Sequence, residues 1–347
     1  MSKVLIYGAY GYTGRLIIEE SISHGIKPLL AGRNKQKLES VASTYDLEHE
    51  VIDISEREKL EEWLSKGTVV IHCAGPFVHT AKQMVEACLK TNTHYLDITG
   101  EYQVFDIVKS YSEQAAKKGL MLLPGAGFDV VPSDCLANHL KDKLPSATHL
   151  EIAFVSKKGG LSRGTTKTMI ENLGYPQVYR KDGEYAYAKM GNHCKVIDYG
   201  DFTQLSMGIS WGDISTAFFS TSILNIEVYS GTTQEQLGKV KKMGIIGFLL
   251  KTDFFRSFLL KKLDRDKDGP LKEKREKATM NLWGKVSNGD ATIEAHLITP
   301  NGYTLTAKTA ILITQKIMEG NYTAGYQSPA TAYGKDLILE IEGCKYL

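Results

Sequence analysis

The chain has 347 residues, 42% of them hydrophobic, with Lys+Arg 42 against Asp+Glu 40 and a net charge of +2. This composition supplies a core large enough for two domains or one large α/β domain, and it excludes a disordered chain. The near-balance of charge excludes an overall field that would draw nucleic acid or an acidic membrane. Cys73, Cys88, Cys135, Cys194 and Cys344 are scattered and never form a C-x-x-C pair. They predict neither a disulfide framework nor a zinc cage, and no metal site, but reduced and mostly buried thiols.

The first residues, MSKVLIYG, enter a strand at once with no long apolar run behind a basic head, which predicts an intracellular, cytoplasmic protein. Short apolar or β-branched runs follow at 4–8, 27–31, 49–53, 68–73, 95–98 and 120–123, with helical patterns between them, as at 35–45 and 104–118. Strand then helix, repeated, predicts a doubly wound parallel sheet covered on both faces. From Thr148 to Ser230 the pattern turns to Thr, Tyr, Gly and alternation, so a second, mixed α+β domain is expected. The boundary is placed near Pro145, giving domains 1–145 and 146–347, with C-terminal elements able to rejoin the first.

Between the first strand and its helix lies YGAYGYTGRLI, with glycines at 8, 11 and 14. Phosphate binding at a strand-to-helix turn needs exposed backbone N–H groups and a helix N-terminus behind them. Gly8 would permit the turn, Gly11 the approach of a pyrophosphate, and Gly14 close packing of helix on strand. The spacing is one residue longer than G-x-G-x-x-G, so the strand before it, the βα repeat after it and Thr13 as a helix cap carry the reading.

The end of the second strand selects the cofactor. An NAD site wants a carboxylate there, and 28–38 contains none. Arg33, Lys35 and Lys37 stand instead where a 2′-phosphate would sit, which predicts NADP(H).

Further along, apolar residues at 254, 255, 258, 259 and 263 form one stripe within a segment, 243–263, that carries too many charges to span a membrane. It reads as a helix packed on its own core or on a homodimer partner, with a lid or a peripheral membrane helix as the alternative. Three patterns are set aside. Tyr185 and Lys189 repeat a dehydrogenase spacing but lie on an alternating strand after an Asp182-Gly183 turn, where a helix would be needed. Asp264, Asp266 and Asp268 begin like a calcium loop, yet the twelfth position is Arg275. His193 and Cys194 are adjacent on a strand and point to opposite sides.

The stretches GAYGYTGRL, AGRN, HCAGPF, YLDITGE, PGAGFDVVPSD, SRGTTKT, WGDISTAFFSTSILNIEVY and GYQSPATAYGKDLILEI occur in that order over almost the whole chain. In them the chain resembles the saccharopine dehydrogenase-like oxidoreductases, specifically the trans-acting enoyl reductase branch. It departs at Arg163, where members often carry a further glycine, and at Leu224, where Pro is frequent. The resemblance implies a Rossmann-type NADP-binding domain joined to a mixed-sheet substrate or dimerisation domain. The expected cofactor set is Gly8, Tyr10, Gly11, Tyr12, Thr13 and Gly14 in the loop, Arg33, Asn34 and Lys37 after the second strand, Asp53 after the third, and Cys73, Ala74, Gly75, Pro76 and Phe77 after the fourth.

Chemistry is expected at the C-terminal ends of the first-domain strands, where ligands bind in open α/β sheets. Glu101, Asp129 and Asp134 are candidates for proton transfer or for binding a substrate amine, and each could equally cap a helix. Arg163, Thr165, Thr166 and Lys167 would offer donors to a substrate oxyanion. The function these features indicate is an NADPH-dependent reductase of a conjugated C=C group on an apolar, lipid-like small molecule. The alternatives are a dehydrogenase acting on a C–N bond of an amino acid and a non-catalytic NADP-binding regulator.

Overall fold

The computed structural model describes residues 3–157, 162–171, 174–245, 252, 257, 259 and 268–347. The chain folds as two compact units: Met1–Val131 with Gly302–Gly334, and Pro132–Asn301 with Lys335–Leu347. Most of the amphipathic segment 243–263 lies outside the described residues. Among those described, no helix is long and apolar enough to cross a membrane.

In the first unit, β1 (Lys3–Tyr7), β2 (Leu29–Gly32), β3 (His49–Val51), β4 (Gly67–His72), β5 (His94–Asp97), β6 (Met121–Leu123) and a late strand, β15 (Gly325–Tyr326), form one parallel sheet. Its order is β15-β6-β5-β4-β1-β2-β3. Read from the other edge this is the 3-2-1-4-5-6 order of dinucleotide-binding domains, extended by one strand. The inner strands are nearly continuous apolar runs, Leu5, Ile6, Leu30, Val69, Val70, Ile71, Tyr95 and Leu96 being fully buried, as a sheet covered on both faces requires. Helices α1 (Tyr12–Ser23), α2 (Lys35–Tyr45), α3 (Arg57–Leu64), α4 (Ala81–Thr91), α5 (Tyr102–Lys109) and α6 (Ser112–Lys117) connect them.

The helix expected over 104–118 is two helices. The Ser110 hydroxyl donates to the Ile107 carbonyl at 2.7 Å and Tyr111 N to the Val108 carbonyl, which closes α5 before α6 begins.

Helix α7 (Val131–Lys143) starts at the division between the units. The division therefore falls at Val131/Pro132 rather than near Pro145, for a reason visible in packing. Leu136 and Leu140 lie so close over Gly284 that a Cβ there would come within 2.7 Å of Leu140, so the helix body belongs to the second sheet.

That second sheet has nine strands: β7 (His149–Lys157), β8 (Gln177–Lys181), β9 (Glu184–Ala188), β10 (Cys194–Asp198), β11 (Thr203–Ile209), β12 (Asn225–Gly231), β13 (Thr279–Ser287), β14 (Thr292–Pro300) and β16 (Lys345–Tyr346). Among the described residues only β12 with β7 is parallel; the other pairs are antiparallel, so the sheet is mixed as expected. Helices α8 (Arg163–Glu171), α9 (Asp213–Thr221), α10 (Gln234–Ile245) and α11 (Lys272–Glu276) belong to this unit. Tyr185 sits on β9 after the Asp182-Gly183 turn, on a strand and not a helix.

The chain then returns to the first unit through α12 (Gly302–Met318) and α13 (Pro329–Tyr333). Thr309 donates to the Ala126 carbonyl at 2.8 Å, and Thr306 accepts from Phe128 N at 2.9 Å. These bonds tie α12 to the segment after β6. None of the five cysteines is in a disulfide; Cys88 and Cys135 are buried and the others half-buried.

Candidate cofactor site

The strand order reverses between β1 and β4, so the crevice at the C-terminal end of the sheet is flanked by the loops that follow those two strands. The loop after β1 is the glycine stretch. Gly8 has φ +82°, and a Cβ there would lie 2.8 Å from Ala74 N, so the two loops touch. At Gly14 a Cβ would stand 2.7 Å from the Gly8 carbonyl oxygen, so this glycine lets α1 pack against the turn. Gly11 is different: its Cβ would meet only the Gly8 carbonyl, at 3.2 Å. Its missing side chain leaves space outside the protein's own packing.

Thr13 does not cap α1. The helix begins at Tyr12, with Gly11 as a side-chain-free cap and no acidic residue in the first turn, which places Thr13 inside that turn. A helix N-terminus without a carboxylate or hydroxyl cap suits an incoming anion. Tyr10 covers Gly32, where a Cβ would fall 2.6 Å from its ring, and Tyr12 makes an edge contact with Tyr303 at 5.1 Å.

At the end of β2, Arg33 is exposed. Asn34 caps α2, accepting from Lys37 N at 3.0 Å, and Lys35 lies 3.8 Å from Glu39. Asp53 ends the next strand connection, with its carboxylate accepting from Ser55 N and Ser55 Oγ. These bonds first, and the charge of Arg33 in addition, hold Asp53 below the usual carboxylate range. Arg33 and Asp53 are thus neighbours on the side of the crevice where an adenosine would lie.

The loop after β4 runs from Cys73 through a cis Gly75-Pro76 bond into a 3₁₀ turn, Phe77–His79. Burial pushes the Cys73 thiol up, with the Asp97 charge adding to it, which favours the protonated thiol. Both oxygens of Glu101 accept from this loop, from Phe77 N and Val78 N, each at 2.9 Å. Asp97, fully buried at the end of β5, accepts from Thr99 N at 2.9 Å, Gly125 N at 2.8 Å and the Tyr95 hydroxyl at 2.6 Å. Desolvation nonetheless lifts its pKa to about 6.

Asp129 is half-buried over Gly100, where a Cβ would come 2.9 Å from its carboxylate oxygen. Burial, and after it the charge of Glu101, push its pKa up to about 7. Glu101 and Asp129 are therefore brought together at the crest of the parallel sheet, one as an acceptor of amides and the other as a carboxyl whose pKa is raised toward neutrality.

The remaining candidates belong to the second unit. Asp134 is fully buried and accepts from the Ser220 hydroxyl at 2.5 Å and from Asn138. Arg163 pairs with Asp268 at 2.5 Å. The Thr165 hydroxyl lies 3.1 Å from Ser162 Oγ, and that of Thr166 donates to the Ser162 carbonyl at 3.0 Å, so both serve the first turn of α8. Lys167 is half-buried on the same helix. This unit has a cleft of about 380 Å³ lined by Glu151, Tyr179, His193, Glu227 and Lys285 among others, and none of these candidates lines it.

Two residues at the crest stand outside the expected site residues, His72 and Thr80. His72 Nε2 lies 2.9 Å from Thr80 Oγ1, and that hydroxyl reaches the Ala74 carbonyl at 3.0 Å. A polar residue ending an otherwise apolar strand was the available clue, for His72 as for Asp97.

The strand order, the glycine turn and the loop after β4 define a dinucleotide-binding α/β domain. Residues 4–123 match the saccharopine dehydrogenase NADP binding domain family. The match covers about a third of the chain, and the cofactor it gives for this domain is NADP(H). A "Saccharopine dehydrogenase-like oxidoreductase" of Rattus norvegicus is 28% identical over 204 residues, 52% of this chain and 48% of that protein. A "Trans-acting enoyl reductase" of Mycobacterium ulcerans is 32% identical over 148 residues, 40% of this chain and 35% of that protein. The matched region thus spans about half the length of these curated relatives, or less. Among solved structures, apo saccharopine dehydrogenase (L-Glu forming) of Saccharomyces cerevisiae superposes with TM-score 0.66 over 100% of both chains at 13% identity, a likeness of fold.

Proposed function

We propose that the protein is an NADPH-dependent oxidoreductase that reduces a conjugated carbon–carbon double bond of an apolar, lipid-like small molecule. The observation that carries the reading is the placement of Asp129, a carboxyl seated over Gly100 beside Glu101 at the crest of an NADP-binding domain, where burial and the Glu101 charge raise its pKa to about 7. Bound NADPH supplies the hydride. Reduction of an enoyl group also needs a proton on the adjacent carbon, and Asp129 is the group whose pKa matches that task. Glu101 is unsuited to it, because both its oxygens already accept backbone amides. The 32% identity with a mycobacterial enoyl reductase supports this substrate class.

The competing reading, oxidation or reduction at a C–N bond of an amino acid, draws on the rat relative and on the fold. It needs a cationic clamp for substrate carboxylates. Its candidates are Arg163 and Lys167, and of these Arg163 is already paired with Asp268.

NADPH oxidation measured against enoyl thioesters and imino acids separates the readings. Turnover of enoyl thioesters is expected. It should fall as pH rises through about 7, where Asp129 loses its proton. Asp129→Asn should lower kcat by a factor of about 100 or more and leave NADPH affinity unchanged. Turnover of imino acids alone would favour the C–N reading, and tight NADPH binding with no turnover of either would leave a regulator.

A further inference from the structure

The loop after β4 has little regular structure, yet it is tied from two sides. From the β5 side, Glu101 takes the amides of Phe77 and Val78, each at 2.9 Å, and is itself placed by its own N–H on Thr99 Oγ1 at 3.0 Å. From beneath, Thr80 reaches the Ala74 carbonyl at 3.0 Å and lies 3.4 Å from that of Pro76. A hydroxyl has one proton to give. With that proton on Ala74, the oxygen must accept from His72, which assigns the His72 proton to Nε2. The bare Nδ1 that remains is buried and without a hydrogen-bond partner among the described residues. Burial also holds the His72 pKa down at about 3, so the imidazole is neutral and can give only that one bond.

The tied loop forms one wall of the crevice between β1 and β4, in contact with the glycine turn through Ala74 and Gly8. Hydrogen bonds from main-chain amides to a carboxylate are strong for their kind, and backbone donors cannot rotate away. Such bonds pre-form a binding surface instead of leaving it to be ordered by the ligand.

We infer that Glu101, together with the His72–Thr80 pair, positions the Cys73–Phe77 loop as a pre-formed wall for the nicotinamide half of the cofactor. The inference rests on the NADP(H) reading of the crevice, and it makes Glu101 a positioning residue and not an acid catalyst. The wall lies across the crevice from Arg33, which follows β2. Loosening it should therefore weaken NADPH and NADH alike, unlike any change at the 2′-phosphate end.

The test uses the full chain and two readouts, hydrogen exchange at the Phe77 and Val78 amides without nucleotide, and dissociation constants for NADPH and NADH by fluorescence. Glu101→Ala should speed exchange at both amides and weaken both cofactors by about tenfold. Glu101→Gln, which keeps one acceptor, should recover part of each. Thr80→Val should give a smaller loss, about threefold, that Thr80→Ser restores. Unchanged exchange in Glu101→Ala would overturn the clamp. Faster exchange with unchanged affinities, or a loss confined to NADPH, would overturn its role toward the nicotinamide half. If the wild type binds neither nucleotide, the cofactor reading itself fails, while exchange at the two amides still judges the clamp.

Discussion

At the crest of the first unit, carboxylates face backbone amides; on the sheet of the second they face lysines. Asp97 accepts from Thr99 N and Gly125 N, and Glu101 from Phe77 N and Val78 N. Each of these bonds fixes the course of a loop, because the donor is part of the chain. In the second unit Glu151 lies between Lys195 and Lys285, and Arg163 lies on Asp268. Those partners are side chains with rotamer freedom and partial access to water, so their bonds add stability without shaping a surface. A site that must meet a rigid dinucleotide is expected where charge is bound to main chain, and the candidate cofactor residues lie there.

The widest separation of the two kinds of region comes from Gly11. Gly11→Val is expected to abolish measurable NADPH binding while the melting temperature stays close to that of wild type. Its φ of −66° suits any residue, and its Cβ meets only one protein atom, the Gly8 carbonyl oxygen at 3.2 Å. A bulky side chain would therefore enter the space of the pyrophosphate and not that of the core. Gly14→Val should instead damage the fold, since its Cβ would come 2.7 Å from the Gly8 carbonyl oxygen. Undiminished NADPH affinity in folded Gly11→Val would remove the loop from the site.

Arg33 gives the next effect. Arg33→Ala should weaken NADPH by about one to two powers of ten, because a charge-assisted bond to phosphate contributes about 1.5–3 kcal/mol. NADH, which lacks that phosphate, should bind almost as before. Equal losses for the two cofactors would mean that Arg33 supports the fold, for instance by neutralising Asp53.

The first unit was legible because its signals are local. Val4 to Tyr7, the three glycines, and Arg33 with no carboxylate before Glu39 all lie within one βα unit and the strand after it. The 3-2-1-4-5-6 sheet follows from repeating that unit. What escaped the reading depends on long-range partners. Glu101 shows its role only when Phe77 and Val78, 24 and 23 residues earlier, come back to it. Asp134 looks like a crest residue by its distance from β6, yet Ser220, 86 residues away, holds it inside the second unit. Thr13 misses the cap position by two residues, since a glycine can begin a helix as readily as a threonine when a ligand is to supply the cap. The split of 104–118 was equally hidden, because apolar spacing continues across Ser110 while a hydroxyl breaks the backbone ladder.

The smallest expected effect bears on the second unit. Desolvation raises the pKa of Glu151, but Lys195 and Lys285 together outweigh it and hold the carboxyl below its ordinary value. Its side chain is 19% exposed, so screening by water is incomplete but not absent. A folded-state pKa below the unfolded one stabilises the protein above the unfolded value, about 4.3, and that stabilisation is lost as pH falls through the lower folded value. Glu151→Gln should thus lower stability by about 1–2 kcal/mol at pH 7, where it leaves the two lysines near each other and near the Trp283 ring. For a unit of this size that is a fall of several degrees in melting temperature. As pH falls below about 4.3 the wild type should begin to lose the advantage, and the gap between the two proteins should narrow. NADPH affinity of the variant should equal that of wild type at neutral pH. A clear loss of cofactor binding without loss of stability would show that the lysine-bound carboxylate also shapes a site, and the contrast between the two units would no longer hold.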